Sequence, residues 1–241
     1  MTRRTLFMSH GDKGGCGKSV LAMFIVEHLL DEYGNVHLIE SDPTQPDLAK
    51  RYMDIPEVAL GYLPLNRAGD SENAMSKFGK WLESENADQV VVNLPAGASE
   101  TVDTMGDMVR DLCDGLNYRL VITYSLEKNE LAADMLAKSF KSGLMSFAEP
   151  EDRFVVYPTF KGDVDGFRWL RHPARQKFNA VEIEMPFMKN NQAWDSLEST
   201  PGRLSTLTDK SIRPDGWAIT DQSSVYRFYH AVLTAIAPIF E

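Results

Sequence analysis

Hydrophobic positions fall into short runs separated by polar, glycine- or proline-marked segments, and the runs alternate between two periods. Residues 4–9, 36–40, 89–95, 118–124, 153–158 and 180–188 carry apolar runs or strict alternation and predict strands. Between them the spacing turns helical. Val20, Leu21, Phe24, Leu29 and Leu30 mark a helix running to Tyr33, with Gly34 as its stop. Met75, Phe78 and Trp81 form the buried stripe of a helix around 74–83, within an otherwise polar and irregular stretch from 50 to 86. Leu131, Met135, Leu136 and Phe140 point inward from a helix over 130–142, and a short helix follows at 192–199. Val225, Phe228, Val232, Leu233 and Ile236 mark a closing helix over 224–240. This alternation predicts an α/β fold: an open, mostly parallel, twisted sheet with helices on both faces. No repeat, low-complexity tract or linker divides residues 1–241, so one domain is expected.

Composition narrows the function classes. With 241 residues, 43% of them hydrophobic, the chain can bury a sizeable core. A formal net charge of −10 argues against a generally basic surface that coats nucleic acid. Two cysteines, Cys16 and Cys113, are too few for a disulfide framework and suit a reducing cytoplasm. No segment approaches the roughly 20 apolar residues of a membrane span, and the amino-terminal residues do not read as a signal peptide. The closing helix holds one arginine, Arg227, and lacks the basic face of a membrane-surface helix.

Candidate chemistry concentrates in Gly11-Asp12-Lys13-Gly14-Gly15-Cys16-Gly17-Lys18-Ser19, which fits the phosphate-loop pattern G-x-x-x-x-G-K-[ST]. Glycine lets backbone N–H groups turn inward and a phosphate approach closely. Lys18 would reach the β- and γ-phosphates, and the Ser19 hydroxyl would ligate Mg²⁺. A strand precedes the loop and a helix opens at Val20, so the helix N-terminus would face the anion. The plainer alternative is a glycine-rich turn that binds nothing. The early lysine sharpens the pattern: Lys-Gly-Gly-Cys-Gly-Lys-Ser resembles the deviant Walker A motif of the ParA/MinD ATPases.

That resemblance implies a P-loop NTPase of the SIMIBI type that binds ATP and Mg²⁺ and forms a homodimer in the ATP state. Lys13 would then act across the dimer, Lys18 within its own subunit, and residues 11–20 would wrap the nucleotide. Glu40-Ser41-Asp42-Pro43 resembles the family's D-x-D-P segment, with Glu40 in place of the first aspartate. Asp42 would position the attacking water near the metal, and Thr44-Gln45-Pro46-Asp47 would respond to nucleotide. The strand ending in Asn93 takes the place of the Walker B strand, with an amide where the family has aspartate. An amide can hydrogen-bond a metal-bound water but carries no charge, so slow hydrolysis is expected. Ala96-Gly97-Ala98-Ser99 would form a second responsive loop. Pro158 and Thr159, together with Pro186 and Phe187, would approach the base. The implied metal group is therefore Ser19, Asp42 and Asn93, and the catalytic group Lys13, Lys18 and Asp42.

The chain looks nearest to the plasmid-encoded branch of that family used in partition, stability and conjugal transfer (TraL-like and StbB-like proteins), which implies DNA or a DNA-bound protein as partner. Residues 161–178 interleave Lys161, Arg168, Arg171, Arg175 and Lys177 with Phe167, Trp169 and Phe178. They could meet nucleic acid, although a helix with a solvated basic face is the plainer reading. Two other functions stay open: an ATP-binding protein with little turnover, and a phosphotransferase acting on a small molecule. A nitrogenase-reductase-like cluster carrier lacks its paired cysteines, which leaves Cys113 an ordinary thiol.

Overall fold

A computed structural model describes residues 4–11, 13–42, 46–65, 70–98 and 101–241. Seven strands form one sheet: β1 (Thr5–His10), β2 (Val36–Glu40), β3 (Val58–Tyr62), β4 (Gln89–Asn93), β5 (Arg119–Ser125), β6 (Arg153–Pro158) and β7 (Val181–Met185). Their order is β3-β2-β4-β1-β5-β6-β7, and every pair is parallel. Parallel neighbours need long crossovers, which is why helices separate most of the strands.

Side chains of successive strand residues point to opposite faces, so each strand feeds two cores. Leu6 and Met8, Val90 and Val92, and Leu120 and Ile122 enter one core; Phe7, Val91 and Val121 enter the other. Helices α3 (Ser71–Glu85), α4 (Gly106–Leu116) and α5 (Glu130–Ser142) cover the first face. The second is covered by α1 (Lys18–Tyr33), α2 (Asp47–Tyr52), α6 (Asn191–Ser199), α7 (Leu204–Thr208) and α8 (Ile219–Ile236). Helix α1 lies deepest: Leu21 through Val26 are all buried, enclosed by the sheet, α2 and α8. That enclosure explains why its sequence has no polar face. Among the described residues, no helix is long and apolar enough to cross a membrane.

Several expectations need correction. The stretch at 50–86 is not irregular throughout. It contains β3, an edge strand with Ala59 and Tyr62 exposed, and the second half of α2 lies at its start. Both are short, and β3 carries Gly61, so neither shows a clear period. Leu131 does not point inward but is 60% exposed, because α5 turns Ala132, Ala133 and Leu136 to the core. The strand over 89–95 ends at Asn93, and that over 180–188 spans Val181–Met185. Helix α8 begins at Ile219, five residues earlier than the apolar spacing indicates, and its last turn is a separate 3-10 turn at Ala237–Phe240.

Residues 159–176 form no amphipathic helix but a series of 3-10 turns. Gly162, with φ of 109°, and Pro173 interrupt any longer helix. Phe167 and Trp169 belong to the core, against Tyr157 and Phe140 respectively. Three of the cations pair with carboxylates: Lys161 with Glu127 at 2.8 Å, Arg175 with Glu182 at 2.7 Å and Arg168 with Glu130 at 3.7 Å. Half of the interleaved pattern is therefore packing, and much of its charge is neutralised locally.

The helices of the second face share a buried carboxyl. Glu27 of α1 accepts the Tyr52 hydroxyl of α2 at 2.8 Å and the Ser205 N–H of α7 at 3.4 Å, with Arg203 Nε at 3.9 Å. Burial raises its pKa, and those hydrogen bonds only partly offset the effect. A carboxyl whose folded pKa is raised loses stability as pH climbs from its unfolded value through its folded one. Glu27→Gln removes that loss. In urea unfolding from about pH 4 to 8, the variant's stability relative to wild type should rise with pH; a pH-independent difference would refute the assignment.

Candidate functional site

The carboxyl ends of β2, β4, β1 and β5 form one edge, and the sheet order reverses direction around β1. Parallel α/β sheets bind ligands outside this edge. The glycine-rich loop leaves β1 here and enters α1. Gly11 has φ of 151°, and a Cβ there would meet the Ser125 carbonyl oxygen at 2.7 Å. Gly17, immediately before α1, has φ of 89°. Both positions demand glycine for backbone reasons independent of any ligand. The helix opens with no side-chain cap, leaving its first amides to the loop side.

Inside the loop, Lys18 is buried and its ammonium donates to the Lys13 carbonyl at 2.8 Å. The Cys16 thiol donates to the same oxygen at 3.0 Å. Burial holds the Cys16 thiol above its ordinary pKa despite Lys18 beside it, so it stays protonated. Ser9 Oγ donates to the Lys18 carbonyl at 3.0 Å and ties the end of β1 to the helix start. Lys13, Gly14 and Gly15 form the exposed shoulder, and Asp12 lies outside the described residues. Val20 is half-buried on the first turn of α1.

On the flank facing β4, Asn93 Nδ2 donates to Ser19 Oγ at 3.2 Å and to Glu40 Oε1 at 2.9 Å. The Asp42 backbone N–H reaches the same Glu40 oxygen at 3.3 Å. Glu40 is 2% exposed and Asn93 1%. Burial pushes the Glu40 carboxyl up to about 7, with the bonds from Asp42 and Asn93 holding it back. Two oxygens of this cluster, Glu40 Oε2 and Asn93 Oδ1, are buried without a hydrogen-bond partner. The structure therefore brings together Ser19 and Asn93 of the expected metal group. Asp42 follows the strand end half-buried and touches the cluster through its backbone. Among the described residues, no group of three His, Cys, Asp or Glu side chains could hold a metal alone. Hydroxyl, amide and single carboxyl oxygens do fit Mg²⁺, which is held by few protein ligands alongside phosphate and water.

On the other flank, a Cβ on Gly17 would stand 3.3 Å from the Phe160 ring and 3.7 Å from Pro158 Cβ. Thr159 Oγ1 donates to the Met185 carbonyl at 2.9 Å, joining the ends of β6 and β7 just before Pro186 and Phe187. Of the four expected base-side residues, Pro158 lies beside the loop; Thr159 follows it, and Pro186 and Phe187 follow the end of β7. Phe160, which sequence reasoning did not single out, stands nearer that Cβ position than Pro158 does, with its ring 47% exposed.

Sequence reasoning also missed a buried pair beneath the loop. His10, the last residue of β1, is fully buried with Nε2 3.3 Å from Asp103 Oδ1. Asp103 sits before α4 and accepts Ser139 Oγ at 2.8 Å and the Leu144 N–H at 2.7 Å. Burial would raise its pKa, but His10 and these donors outweigh that and hold it low. The pair ties the loop's root to α4 and α5. Of the expected responsive loops, Pro43, Thr44, Gln45 and Ser99 lie outside the described residues, while Pro46 and Asp47 lead into α2. Cys113 is buried, its thiol pushed up to about 12, and takes no part in this edge.

No family model matches the chain. Protein MobD of Acidithiobacillus ferrooxidans is 26% identical over 133 residues, 55% of this chain and 56% of that protein. The chain therefore spans about half the length of the curated relative it matches. A nucleotide-binding protein from Archaeoglobus fulgidus, solved in complex with ADP, is similar over 81% of this chain and 86% of its own, with a TM-score of 0.49 and 12% identity.

Proposed function

We propose that the chain is an ATP-operated switch: ATP with Mg²⁺ binds the loop between β1 and α1 and completes a homodimer, and slow hydrolysis dissolves it. The observation that carries this reading is the loop itself. A strained glycine turn opens onto an uncapped helix, with one lysine buried in the loop and a second exposed on its shoulder. Lys18 spends its charge on a loop carbonyl, a bond that a phosphate oxygen would replace with a stronger, charge-assisted one. Lys13 is exposed beside the Glu127 carboxylate, and would serve a second copy as its resemblance to the ParA/MinD loop implies. Bound Mg²⁺ would offset charge on the phosphates, with Ser19 as protein ligand and Asp42 and Asn93 near it. Pro158, Thr159, Pro186 and Phe187 would border the base.

The partner we propose is DNA or a DNA-bound protein, in plasmid partition, stability or conjugal transfer. The acidic charge and the paired cations of 159–176 favour a protein intermediary over direct coating of DNA. Two buried, unpaired cysteines suit the cytoplasm. A second reading, ATP binding with little turnover, draws support from the neutral Asn93 at the end of β4.

Oligomeric state measured by light scattering tests the switch. Wild type should dimerise with ATP and Mg²⁺ but not with ADP; Lys13→Ala should bind nucleotide yet stay monomeric. A wild-type monomer in every condition would sink the proposal. Lys18→Ala should weaken ATP binding by at least about tenfold, the scale of one lost charge-assisted contact, as read by calorimetry. Product analysis separates the remaining functions: free phosphate supports the switch, a phosphorylated small molecule a transferase, and no product the binding-only reading.

A further inference from the structure

A second recess opens on the first face of the sheet, between the 3-10 turns at Arg168–Arg171 and Pro173–Gln176 and the start of β7. None of the residues lining it belongs to the glycine-rich loop. Its volume is about 450 Å³, within the range of small-molecule sites. Part of its wall is aromatic. Phe178 and Trp169 both stack on Phe140 of α5, with ring centroids 4.9 and 5.8 Å away and planes tilted by 8° and 15°. His172 stacks on Trp169 at 5.4 Å. Packing thus sets the orientation of both rings without help from a ligand.

The polar part of the wall has its charges matched and one donor left over. Arg175 donates from Nε to Glu182 Oε1 at 2.7 Å and from Nη2 to Oε2 at 2.8 Å, so the pair cancels its own charge. Trp169 is the exception. Its side chain is 2% exposed, yet Nε1 has no acceptor among the described residues. An indole N–H can only donate, and leaving a buried donor unmatched costs more than an ordinary hydrogen bond gains. Buried tryptophans therefore normally find an acceptor. An aromatic wall with an unspent donor and no net charge selects a flat apolar body that carries a neutral acceptor oxygen.

We propose that this recess binds a small planar aromatic molecule with an uncharged carbonyl, its ring against Trp169 and Phe178 and its oxygen accepting from Trp169 Nε1. Gln176 and Asn179, both exposed in the lining, are the side chains that swing aside to admit the oxygen. A peptide strand added along β7 is a poorer occupant, because Glu182 and Glu184 are exposed on that edge strand and charges there oppose pairing. The proposal does not rest on the nucleotide reading.

The probe is benzamide, titrated into the full chain labelled with ¹⁵N. The four tryptophans give four indole N–H signals, and Trp169→Phe identifies that of Trp169. In wild type this signal should move saturably, with a dissociation constant of about 1 mM, the scale open to so small a ligand. The signals of Trp81, Trp194 and Trp217 should stay in place, and benzamide ring protons should show nuclear Overhauser effects to the rings of Trp169 and Phe178. The ring-saturated analogue, cyclohexanecarboxamide, should bind at least about fivefold more weakly, and benzoate no more tightly than benzamide. Trp169→Phe keeps a ring without the N–H, and ligand-observed saturation transfer should show its benzamide affinity reduced at least about fivefold. The wild-type titrations decide the matter even if that variant folds poorly. A Trp169 signal unmoved up to the solubility limit of benzamide overturns the proposal. Equal affinity for the ring-saturated amide, a preference for benzoate, or undiminished binding by a folded Trp169→Phe does so too. A signal that moves with single-stranded oligothymidylate but not with benzamide would assign the recess to nucleic acid and overturn it as well.

Discussion

Parallel strand pairing levels three side chains at one height, and the candidate site depends on that alignment. Ser9 of β1 lies opposite Asn93 of β4, and Asn93 lies opposite Glu40 of β2. Asn93 and Glu40 end their strands and Ser9 is the last residue but one of β1, near where the backbone stops pairing and side chains can turn toward the open edge. Ser9 anchors the start of α1, Asn93 reaches the first helical hydroxyl, and Glu40 accepts from Asn93. A one-residue slip in any of the three strands would send the corresponding side chain into a core, because strand side chains alternate faces. Two apolar cores on opposite sides of the sheet hold that register.

The loop built on this edge stores little slack. Gly11 lies against Ser125 of β5, and Gly17 is overlaid by Phe160 and Pro158. Beneath it, His10 rests against Asp103, which also gathers Ser139 and Leu144. Movement of the loop's root is thereby coupled to the helices of the first face. On the other side, Glu27 links α1 to α2 and α7. The helix that carries Lys18 and Ser19 is thus held at its start by Ser9 and further along by Glu27, while the shoulder bearing Lys13 is exposed.

Legibility in the sequence followed the locality of the signal. The α/β class, the strands β1, β2, β4, β5 and β6, and helices α1 and α5 were readable because dense apolar runs with clear periods mark buried elements. The loop was readable because its glycines and lysines sit within nine residues. Elements β3 and α2 were not, being short and carrying weak patterns. Leu131 and the aromatic-basic stretch misled for a shared reason. An apolar residue near a helix end, or a cation between aromatics, has its surroundings decided by distant segments.

The amino-acid sequence by itself determined the strand-and-helix alternation, the loop between β1 and α1, and the neutral residue at position 93, since each depends on residues near in the chain. Only the tertiary structure decided that Glu40 meets Asn93 across 53 positions, that His10 meets Asp103, and that Phe160 covers Gly17. Those contacts arise from strand order and register, which are set by how two faces of a sheet bury their side chains together rather than by any local pattern.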